Sequence, residues 1–366
     1  MKFYLVGGAV RDNLLGLKSR DYDYVVLDSS RAELISRGFK PVGESFEVFI
    51  HPVTRDEYTL AYQNDLRLEL HRRDLTINSI ALDVATNSYF DPFCGLDDIK
   101  NKVLRHTSIF FSTDPVRILR LARFKAQYPD FLIDEATVEL CKQQSLDQNL
   151  FRDIAGERFL IELKKSMSLS NPFLFFELLR DWKVLDLFFK ELADHYRDEV
   201  NWSRAMIILE KSCLLSHKFS VRFASLVREL PSAEIVISRF KLDRYTRKLS
   251  IAVNRNHVEV SKALELTPEE LLILLLKLDA LREGDLFEDA VLCCFVYGKD
   301  ALEINREDNK YTQGNFLLQL CCKLKNKRIG DLASRYSGIE LKLKIKELRL
   351  KIIKEFKQLY SSSEKL

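Results

Sequence analysis

Two acidic residues one position apart are the first feature of this chain that could do chemistry. Asp21 and Asp23 begin a segment that alternates acidic and aromatic residues and then becomes apolar. On an extended strand such residues project to the same face, about 7 Å apart. Two carboxylates at that spacing suit shared coordination of hard divalent cations such as Mg²⁺. Two solvated acids at the entrance to a strand give the same pattern, so the neighbouring residues must distinguish the two interpretations.

A glycine pair lies upstream of these acids. Gly7 and Gly8 follow the apolar run 3–6 and precede a short helical segment at 9–15. Glycines at a strand-to-helix turn let backbone N–H groups approach a phosphate, and the N-terminus of the helix adds positive potential. Arg11, in the first turn of that helix, could contact the same anion bidentately. The pattern predicts a site for a nucleoside triphosphate and Mg²⁺, although the P-loop sequence is absent.

The elements that must position these residues change character along the chain. Strands are predicted at 3–6, 21–27, 46–50 and 57–62, and the segment 76–82 fits either a strand or a helix. After about residue 107 the pattern becomes helical, with helices predicted through 118–122 and at 159–166, 172–181, 204–213, 268–281, 286–297 and 341–360. We therefore expect an α+β fold, in which a small α/β head precedes an all-helical body.

Composition narrows the class of protein. The 366 residues are enough for two to three domains of about 150 residues. The 24 Phe and 13 Tyr exclude a generally disordered chain, and a formal charge of +3 is too small to demonstrate a nucleic-acid partner. The seven cysteines form no C-x-x-C pair, so buried free thiols are expected. Since no apolar run reaches membrane length and the N-terminus is no signal peptide, we expect a soluble, cytoplasmic protein.

Four motifs, in order along the first third of the chain, carry a family resemblance. They are LVGGAVRD at 5–12 with DYD at 21–23, HRRDLTIN at 71–78, DPFCGLDD at 91–98 and TDPVRILRLARF at 113–124. Together they resemble the nucleotidyltransferase superfamily, in its branch of class II tRNA nucleotidyltransferases and bacterial poly(A) polymerases. Weaker similarity at 171–176 and 337–340 extends the resemblance over most of the chain.

The resemblance implies three functional parts. A nucleotidyltransferase head is expected over 1–106, a helical neck that recognises the nucleotide base over 107–165, and a helical body and tail that bind tRNA over 166–366. The enzymes of this branch include those that rebuild the CCA end of tRNA.

The resemblance also assigns roles within the head. Asp21 and Asp23 would be catalytic and would hold two Mg²⁺ ions, one lowering the pKa of the RNA 3′-hydroxyl and one bridging the triphosphate. Attack of that hydroxyl on the α-phosphorus then expels pyrophosphate. Glu57 is a candidate third carboxylate. The candidates for binding the nucleotide phosphates and ribose are Gly8, Arg11 and Arg73. For Arg73 the alternative is an exposed cluster of ion pairs.

The neck would read the incoming base of CTP or ATP. Asp114 and Arg117 are followed at the same spacing by Arg120 and Arg123, so the four share one broad face of a helix. In the family, the acid and the arginine that match Asp114 and Arg117 read the base, and the later arginines would lie nearer the phosphates. A carboxylate accepts from the exocyclic amine that cytosine and adenine share, and a guanidinium donates to the neighbouring acceptor. Without the other motifs, a surface ion pair would explain the same spacing.

Two departures from the family concern the reaction product. Thr113 replaces the acid that precedes Asp114 in the family. Only residues 63–71 connect the strand at 57–62 to the HRRD motif, whereas relatives that add the full CCA carry a longer loop there. A shortened loop is typical of relatives that add only the two cytidines. The sequence therefore slightly favours CC addition over CCA addition.

The helical body departs from many relatives as well. Those relatives carry a metal-dependent phosphohydrolase of the HD type, which needs adjacent His and Asp ligands. No His-Asp dipeptide occurs here, and Arg228-Glu229 lies where the pair would be, so this activity is expected to be absent. The last predicted helix is rich in lysine, and Lys344, Lys351 and Lys354 are candidates for tRNA binding through phosphates. A solvated basic face is the alternative for these lysines.

The sequence thus favours template-independent addition of C, with the terminal A as an open question, to tRNA 3′ ends from CTP and ATP. One alternative is a poly(A) polymerase, which shares the head motifs. Another is an RNA-binding protein that has lost catalysis, although such a protein has no reason to retain two repelling acids at Asp21 and Asp23. The expected partners are the tRNA 3′ end and the nucleotides, with no membrane, and the chain is expected to be a monomer or a weak dimer.

Overall fold

Two compact units make up the part of the chain that the computed structural model describes. The described residues are 1–19, 21–42, 48–147, 149–152, 156–231, 233–295, 311–327 and 330–363. One unit comprises Met1–Glu162 and Leu174–Leu187, and the other comprises Leu163–Phe173 and Phe188–Leu366. The described part of the first unit is mixed α/β and that of the second is helical, so the predicted α+β class is confirmed. The division into head, neck and body stays a prediction.

A mixed sheet forms the centre of the first unit. Its strands are β1 (Lys2–Val6), β2 (Asp23–Leu27), β3 (Lys40–Val42), β4 (Val48–Ile50), β5 (Glu57–Leu60), β6 (Ala81–Asp83) and β7 (Tyr89–Phe90). They are hydrogen-bonded in the order β3-β4-β5-β2-β1-β6-β7. β2 and β5 run parallel, and the other neighbours run antiparallel. This order brings the start of β2 beside both the end of β1 and the start of β5.

Helices pack on both faces of this sheet because successive residues of β1 point in opposite directions. The helices in this part of the chain are α1 (Gly8–Leu14), α2 (Arg31–Ser36), α3 (Leu66–His71), α4 (Gly95–Lys100), α5 (Val116–Gln127), α6 (Glu135–Leu146), α7 (Asn149–Arg152), α8 (Gly156–Met167), α9 (Phe173–Asp181) and α10 (Leu185–Phe188). Leu5 packs with Ala9 of α1, and Val6 packs with Leu66 and Leu70 of α3. A short parallel pair, β8 (Val103–Leu104) and β9 (Leu132–Ile133), flanks α5 in sequence.

The second unit buries aliphatic faces of several helices against one another. Its helices are α11 (Lys190–His195), α12 (Glu199–Leu215), α13 (Phe219–Val227), α14 (Ala233–Arg239), α15 (Arg244–Ser261), α16 (Pro268–Lys277), α17 (Leu286–Phe295), α18 (Thr312–Lys325), α19 (Gly330–Ala333) and α20 (Gly338–Ser363). Leu249, Leu275 and Ile353 belong to one buried cluster shared by α15, α16 and α20. Within the described ranges, no helix is both long and apolar enough to cross a membrane.

Most predicted elements lie within a few residues of their observed positions, and two differ for identifiable reasons. The ambiguous segment 76–82 contains a 3₁₀ turn at Thr76–Asn78 and then β6. The turn is fixed by a 2.7 Å hydrogen bond from the Thr76 hydroxyl to Asp98. The strand predicted at 57–62 ends at Leu60 because the chain enters a second 3₁₀ turn, Tyr62–Asn64.

The cysteines are free thiols, as predicted, but they are not all buried. Cys94 and Cys322 are exposed, so the prediction of a buried thiol is wrong for these two. Cys94 adopts a left-handed backbone, with φ of 59°, immediately before α4 and therefore lies at a surface turn. The predicted ends at 46–47 and 296–297 lie outside the described residues.

Candidate functional site

The register of the sheet places Asp23 next to another acidic residue, Glu57. Asp23 pairs with Val6 at the end of β1 and with Glu57 at the start of β5. Burial raises the pKa of Asp23, the Arg73 guanidinium lowers it, and the charge of Asp21 raises it further. Burial also raises the pKa of Glu57, and Asp23 and Asp21 add to that effect. The three carboxylates therefore share one region of negative potential.

The chemistry of this donor set fits Mg²⁺ bound together with a nucleotide. Among the described residues, no group of three or more His, Cys, Asp or Glu side chains is arranged to hold a metal without other ligands. Mg²⁺ is commonly held by one or two carboxylates plus substrate phosphates, so the pair Asp21 and Asp23 meets that requirement. The role of Glu57 as a third metal ligand stays a prediction.

The backbone of Gly7, which precedes α1, is closely approached by side chains of the site. Gly7 precedes α1 with φ of 73°, a conformation that favours glycine. A Cβ at this position would lie 2.8 Å from Nη1 of Arg73 and 3.8 Å from Oδ2 of Asp23. Burial lowers the pKa of Arg73, while Glu69 and Asp23 raise it. The glycine turn, a cationic side chain and the catalytic candidate Asp23 are thus brought together.

The Nε atom of Arg73 adds a feature typical of an anion site. It is buried and has no hydrogen-bond partner among the protein atoms. A buried donor without a partner costs roughly 1–3 kcal/mol, a cost that a bound phosphate or ribose oxygen can remove. Gly8 begins α1, and a Cβ there would meet only Nη2 of Arg11, at 3.5 Å. The phosphate-binding roles predicted for Gly8 and Arg73 are compatible with this arrangement and stay predictions.

Arg11 lies inside the first unit rather than on its surface. It is 7% exposed, and its Nε and Nη2 donate to Oδ1 of Asp12 at 2.9 and 2.7 Å. Its Nη1 donates to Oδ1 of Asn78 at 2.6 Å, and its guanidinium lies 5.1 Å from the ring centroid of Phe124 on α5. These contacts tie α1 to the HRRDLTIN segment and to α5. The predicted contact of Arg11 with phosphate stays untested beside these observed bonds.

Asp74 is a central residue of the site that the sequence interpretation did not single out. Its Oδ2 accepts from Nε and Nη2 of Arg120, both at 2.7 Å, and its Oδ1 accepts from Asn78 at 2.9 Å and from the Leu75 backbone at 2.8 Å. Burial would raise the pKa of Asp74, but Arg120 and these hydrogen bonds outweigh it and hold the pKa well below its usual range. The signal in the sequence was an acid directly after two arginines, next to an arginine-rich helix.

The first residues of the predicted base-reading face are held by separate partners. Asp114 accepts from Nη2 of Arg158 at 2.6 Å and from the Val116 backbone at 3.2 Å. Arg117 donates from Nη2 to the Arg72 carbonyl at 2.6 Å. Its Nη1 donates to the carbonyl of residue 110 at 2.7 Å and, more weakly, to that of residue 73 at 3.4 Å. The bond from Arg158, on α8, is a contact that the sequence interpretation missed.

The later arginines of that face point to buried acids in this structure. Arg120 pairs with Asp74. Arg123 is 9% exposed and donates from Nε to Glu162 at 2.6 Å and from Nη1 to Gln127 at 3.2 Å. These pairs hold α5 against its neighbours within the first unit. The predicted position of Arg120 and Arg123 near nucleotide phosphates stays a prediction.

The lysine candidates belong to the second unit. Lys344, Lys351 and Lys354 lie on α20. Lys344 pairs with Glu347 at 2.9 Å, Lys354 lies 3.9 Å from Glu269, and Lys351 is exposed. The contact of these lysines with RNA stays a prediction.

The predicted position of the missing HD pair is filled by an internal arginine. Arg228 is fully buried and donates from Nη1 to the Cys293 carbonyl at 3.0 Å and from Nη2 to Glu229 at 3.2 Å. A cation cannot contribute to a metal ligand set. The chemistry of this position therefore differs from that of an HD centre.

Comparisons with known proteins agree with the fold. Residues 46–105 match the model of the family described as "Poly A polymerase head domain", and residues 130–196 match "Probable RNA and SrmB- binding site of polymerase A". A Multifunctional CCA protein from Psychromonas ingrahamii is 32% identical over 412 aligned positions, which cover 99% of this chain and 100% of the relative. Its counterpart from Acinetobacter baumannii strain SDF is 31% identical, covering 99% of each protein.

Solved structures share the same fold. The CCA-adding enzyme of Thermotoga maritima in complex with tRNA_CCA has a TM-score of 0.72 and 21% identity, and the match covers 99% of this chain and 91% of that enzyme. A CCA-adding enzyme in complex with CTP has a TM-score of 0.73 and 21% identity, covering 100% and 92%. The head-domain match and the related CCA proteins identify the chain as a nucleotidyltransferase. The chain belongs to the family of class II tRNA nucleotidyltransferases.

Proposed function

We propose that this protein extends the 3′ end of tRNA with cytidine from CTP, without a template and with release of pyrophosphate. The observation that carries the proposal is the meeting of Asp21 and Asp23 with the Gly7 turn and Arg73. Carboxylates for a cation and donors for an anion lie side by side there, as phosphoryl transfer requires. Among the solved relatives, separate complexes with tRNA_CCA, with CTP and with ATP support the choice of substrates. We place this reaction in the cytoplasm.

Each part of the site has a task in that reaction. Asp21 and Asp23 would hold Mg²⁺, which when bound would neutralise phosphate charge and lower the pKa of the RNA 3′-hydroxyl. Arg73 would donate from its buried Nε to an oxygen of the nucleotide, which removes the cost of leaving that donor without a partner. Arg117 is held by backbone carbonyls of the adjacent turn and therefore meets the base in a fixed position.

Asp114 would accept a hydrogen bond from the exocyclic amine of the base. Arg158 donates to one of its oxygens at 2.6 Å, and each carboxylate oxygen can accept more than one bond. We infer that Arg158 is a positioning residue, because its bond keeps the Asp114 carboxylate in one orientation. Uracil and guanine lack an amine beside an acceptor in the pattern that cytosine and adenine share, so this pair selects against them.

The connection that precedes the HRRD motif supports addition of CC rather than CCA. Asn64 of the Tyr62–Asn64 turn accepts from the Asp28 backbone at 2.8 Å and donates to the Asp28 carboxylate at 3.2 Å. Glu69 accepts from the Tyr62 backbone at 3.2 Å, so the start of the connection is bonded to α3. A connection filled by a bonded turn and a helix has little freedom to move the base-reading pair when the substrate changes from CTP to ATP. We therefore propose that the enzyme stops at CC.

The deciding experiment is product length on a defined RNA. Purified protein with Mg²⁺, CTP and ATP is incubated with tRNA that ends at the discriminator base, at C or at CC. Products that stop at CC support the proposal, and efficient extension to CCA contradicts the argument from the connection. Long A tails on any RNA would favour a poly(A) polymerase, and no incorporation would favour an RNA-binding protein without catalysis. Asp21→Ala and Asp23→Ala should each remove turnover by orders of magnitude while circular dichroism stays unchanged.

The lysine-rich face of α20 is proposed to bind tRNA phosphates. Replacing Lys344, Lys351 and Lys354 together with glutamine should weaken tRNA binding and lower its salt slope, by about 0.9 for each phosphate that is no longer neutralised. Replacing Lys277 on α16 serves as the control for removal of one surface charge. An unchanged affinity and salt slope in the triple variant would assign this face of α20 to scaffolding.

A further inference from the structure

Aromatic and basic side chains form a cluster in the first unit beside the Arg72-Arg73 turn, in which one group of contacts includes His71 and a second group includes its neighbour Arg72. We call it the aromatic surface, and it consists of Tyr62, Arg67, His71, Arg72, Phe93 and Phe110. The nucleotide-binding roles proposed above use none of its side chains. A surface of this composition suits a ligand that combines flat rings with negative charge.

The members of the aromatic surface contact one another pair by pair. His71 stacks on Phe93, with ring centroids 5.4 Å apart and planes 21° from parallel. Phe110 meets the His71 ring edge-on, with centroids 5.3 Å apart and planes at 84°. The Arg67 guanidinium lies 5.6 Å from the Phe93 centroid, and that of Arg72 lies 5.3 Å from the Tyr62 centroid. Cations over aromatic faces of this kind are held by the ring quadrupole.

Hydrogen bonds fix this surface to the candidate site. The Ser108 hydroxyl donates to the His71 carbonyl at 2.7 Å. Arg117 donates to the carbonyls of Arg72 and Phe110 at 2.6 and 2.7 Å. The residue predicted to read the incoming base therefore bridges the backbones that carry Arg72 and Phe110. The next residue along the chain, Arg73, lies near Gly7 and Asp23, so the turn that carries Arg72 also carries a residue of the candidate site.

Parts of this surface are more exposed than packing alone would favour. Tyr62 is 49% exposed and Phe110 is 43% exposed, and Ile109 beside it is 72% exposed. Exposed rings next to guanidinium groups match single-stranded nucleic acid, in which unpaired bases stack on aromatic faces while arginine attracts the backbone phosphates. Duplex RNA offers no free base faces and would not use the rings.

We propose that the aromatic surface binds the single-stranded 3′ end of the RNA, with Phe110 and Tyr62 stacking on unpaired bases and Arg67 placed near the backbone phosphates. This inference rests on the proposed function, because it supplies the binding site for the RNA end that the reaction extends. A stacked base is recognised without regard to its identity, so the surface accepts a discriminator base or an added C equally. The bonds of Arg117 and the adjacent position of Arg73 bring the terminal 3′-hydroxyl towards Asp21 and Asp23.

The test measures binding of two RNA hairpins that differ only at the 3′ end. One probe is a fluorescein-labelled acceptor-stem hairpin with a three-nucleotide single-stranded 3′ end, and the other is the same hairpin with a blunt end. Binding is followed by fluorescence anisotropy without nucleotide. Phe110→Ala and Tyr62→Ala should each weaken binding of the overhanging probe roughly 5- to 100-fold and leave the blunt probe unchanged. Phe110→Trp and Tyr62→Phe should retain affinity because they keep the ring.

A matched control and a kinetic measurement separate this surface from general effects. Phe90 on β7 is 39% exposed, close to the exposure of Phe110, and Phe90→Ala should change neither affinity. In the extension assay, Phe110→Ala should raise the KM for RNA while the KM for CTP stays the same. Equal weakening with both probes, or no weakening with the overhanging probe, would overturn the inference.

Failure of this inference is distinguishable from failure of the proposed function. If C is incorporated but binding of the overhanging probe does not depend on Phe110 or Tyr62, only the proposed role of the aromatic surface is contradicted. If no RNA is extended, the proposed reaction is contradicted. A difference in affinity between the two probes would still identify a site for single-stranded RNA.

Discussion

Removing the cation from the buried carboxylate at the centre of the first unit should produce a large and pH-dependent loss of stability. The change is Arg120→Met, which keeps an apolar stem of similar length. Asp74 is 6% exposed, and both Nε and Nη2 of Arg120 lie 2.7 Å from its Oδ2. Without Arg120 the carboxylate keeps its bonds from Asn78 and the Leu75 backbone but loses its counter-charge.

The magnitude follows from the burial of the pair. Removing one partner of a fully buried ion pair costs about 3–5 kcal/mol. The Arg120 side chain is 35% exposed, so solvent screens part of the interaction, and two other hydrogen bonds to Asp74 remain. We therefore expect a loss of about 2–4 kcal/mol in the free energy of unfolding of the first unit at pH 7.

The two tryptophans of the chain allow this unit to be followed on its own. Trp182 is buried in the first unit, and Trp202 is buried in the second. In a Trp202→Phe background, fluorescence during urea unfolding therefore reports only the first unit. Arg37→Met is the matched control, because its pair with Glu33 at 3.0 Å is exposed and should contribute less than about 1 kcal/mol.

The pH dependence has a definite sign. The folded state holds the pKa of Asp74 below its unfolded value of about 4. Its contribution to stability is therefore fully present above that unfolded value and is lost as the pH falls through the folded value. The unfolded state is common to both proteins, so their difference depends on the folded-state pKa of Asp74, which burial without a guanidinium raises in the variant. The difference between wild type and Arg120→Met should therefore be largest near pH 7 and shrink as the pH falls towards 3. A loss under about 1 kcal/mol at pH 7, or an equal loss at pH 3, would refute the reasoning.

Two further substitutions test the geometry around the nucleotide. Gly7→Ala should lower the free energy of unfolding by about 1–2 kcal/mol, measured by chemical unfolding, because a positive φ disfavours alanine and the new Cβ would press on Arg73. It should also reduce kcat, measured by single-turnover extension, because Arg73 lies in the candidate site. Arg158→Met should raise the KM for CTP and reduce discrimination against UTP, because the Asp114 carboxylate is no longer held in place. The free energy of unfolding should change by less than about 1 kcal/mol, because the Arg158–Asp114 pair is half-exposed, and unchanged nucleotide discrimination would count against the positioning role.

Features that depend on short-range spacing could be predicted from the amino-acid sequence alone. The two acids with one residue between them, the glycine turn before α1 and the arginines at every third position of α5 are all visible in the linear pattern. Their order along the chain is enough to indicate the family, and the family relationship is confirmed by relatives that match over nearly the whole chain. The succession of strands and then helices likewise predicted the α+β class, because periodicity is a local property.

Which charged group meets which partner is fixed by long-range contacts that no spacing reveals. The sequence pattern placed Arg11 where it could reach a phosphate, and the resemblance placed Arg120 and Arg123 near one. In the structure, their distant partners are Asn78, Asp74 and Glu162, respectively. The pairing of Asp23 with Glu57 depends on a parallel register between strands separated by a long stretch of chain. The same is true of the stacking between His71, Phe93 and Phe110. An arginine has the same helical spacing whether it faces solvent or a buried acid, and its partner is determined only when folding removes both groups from water.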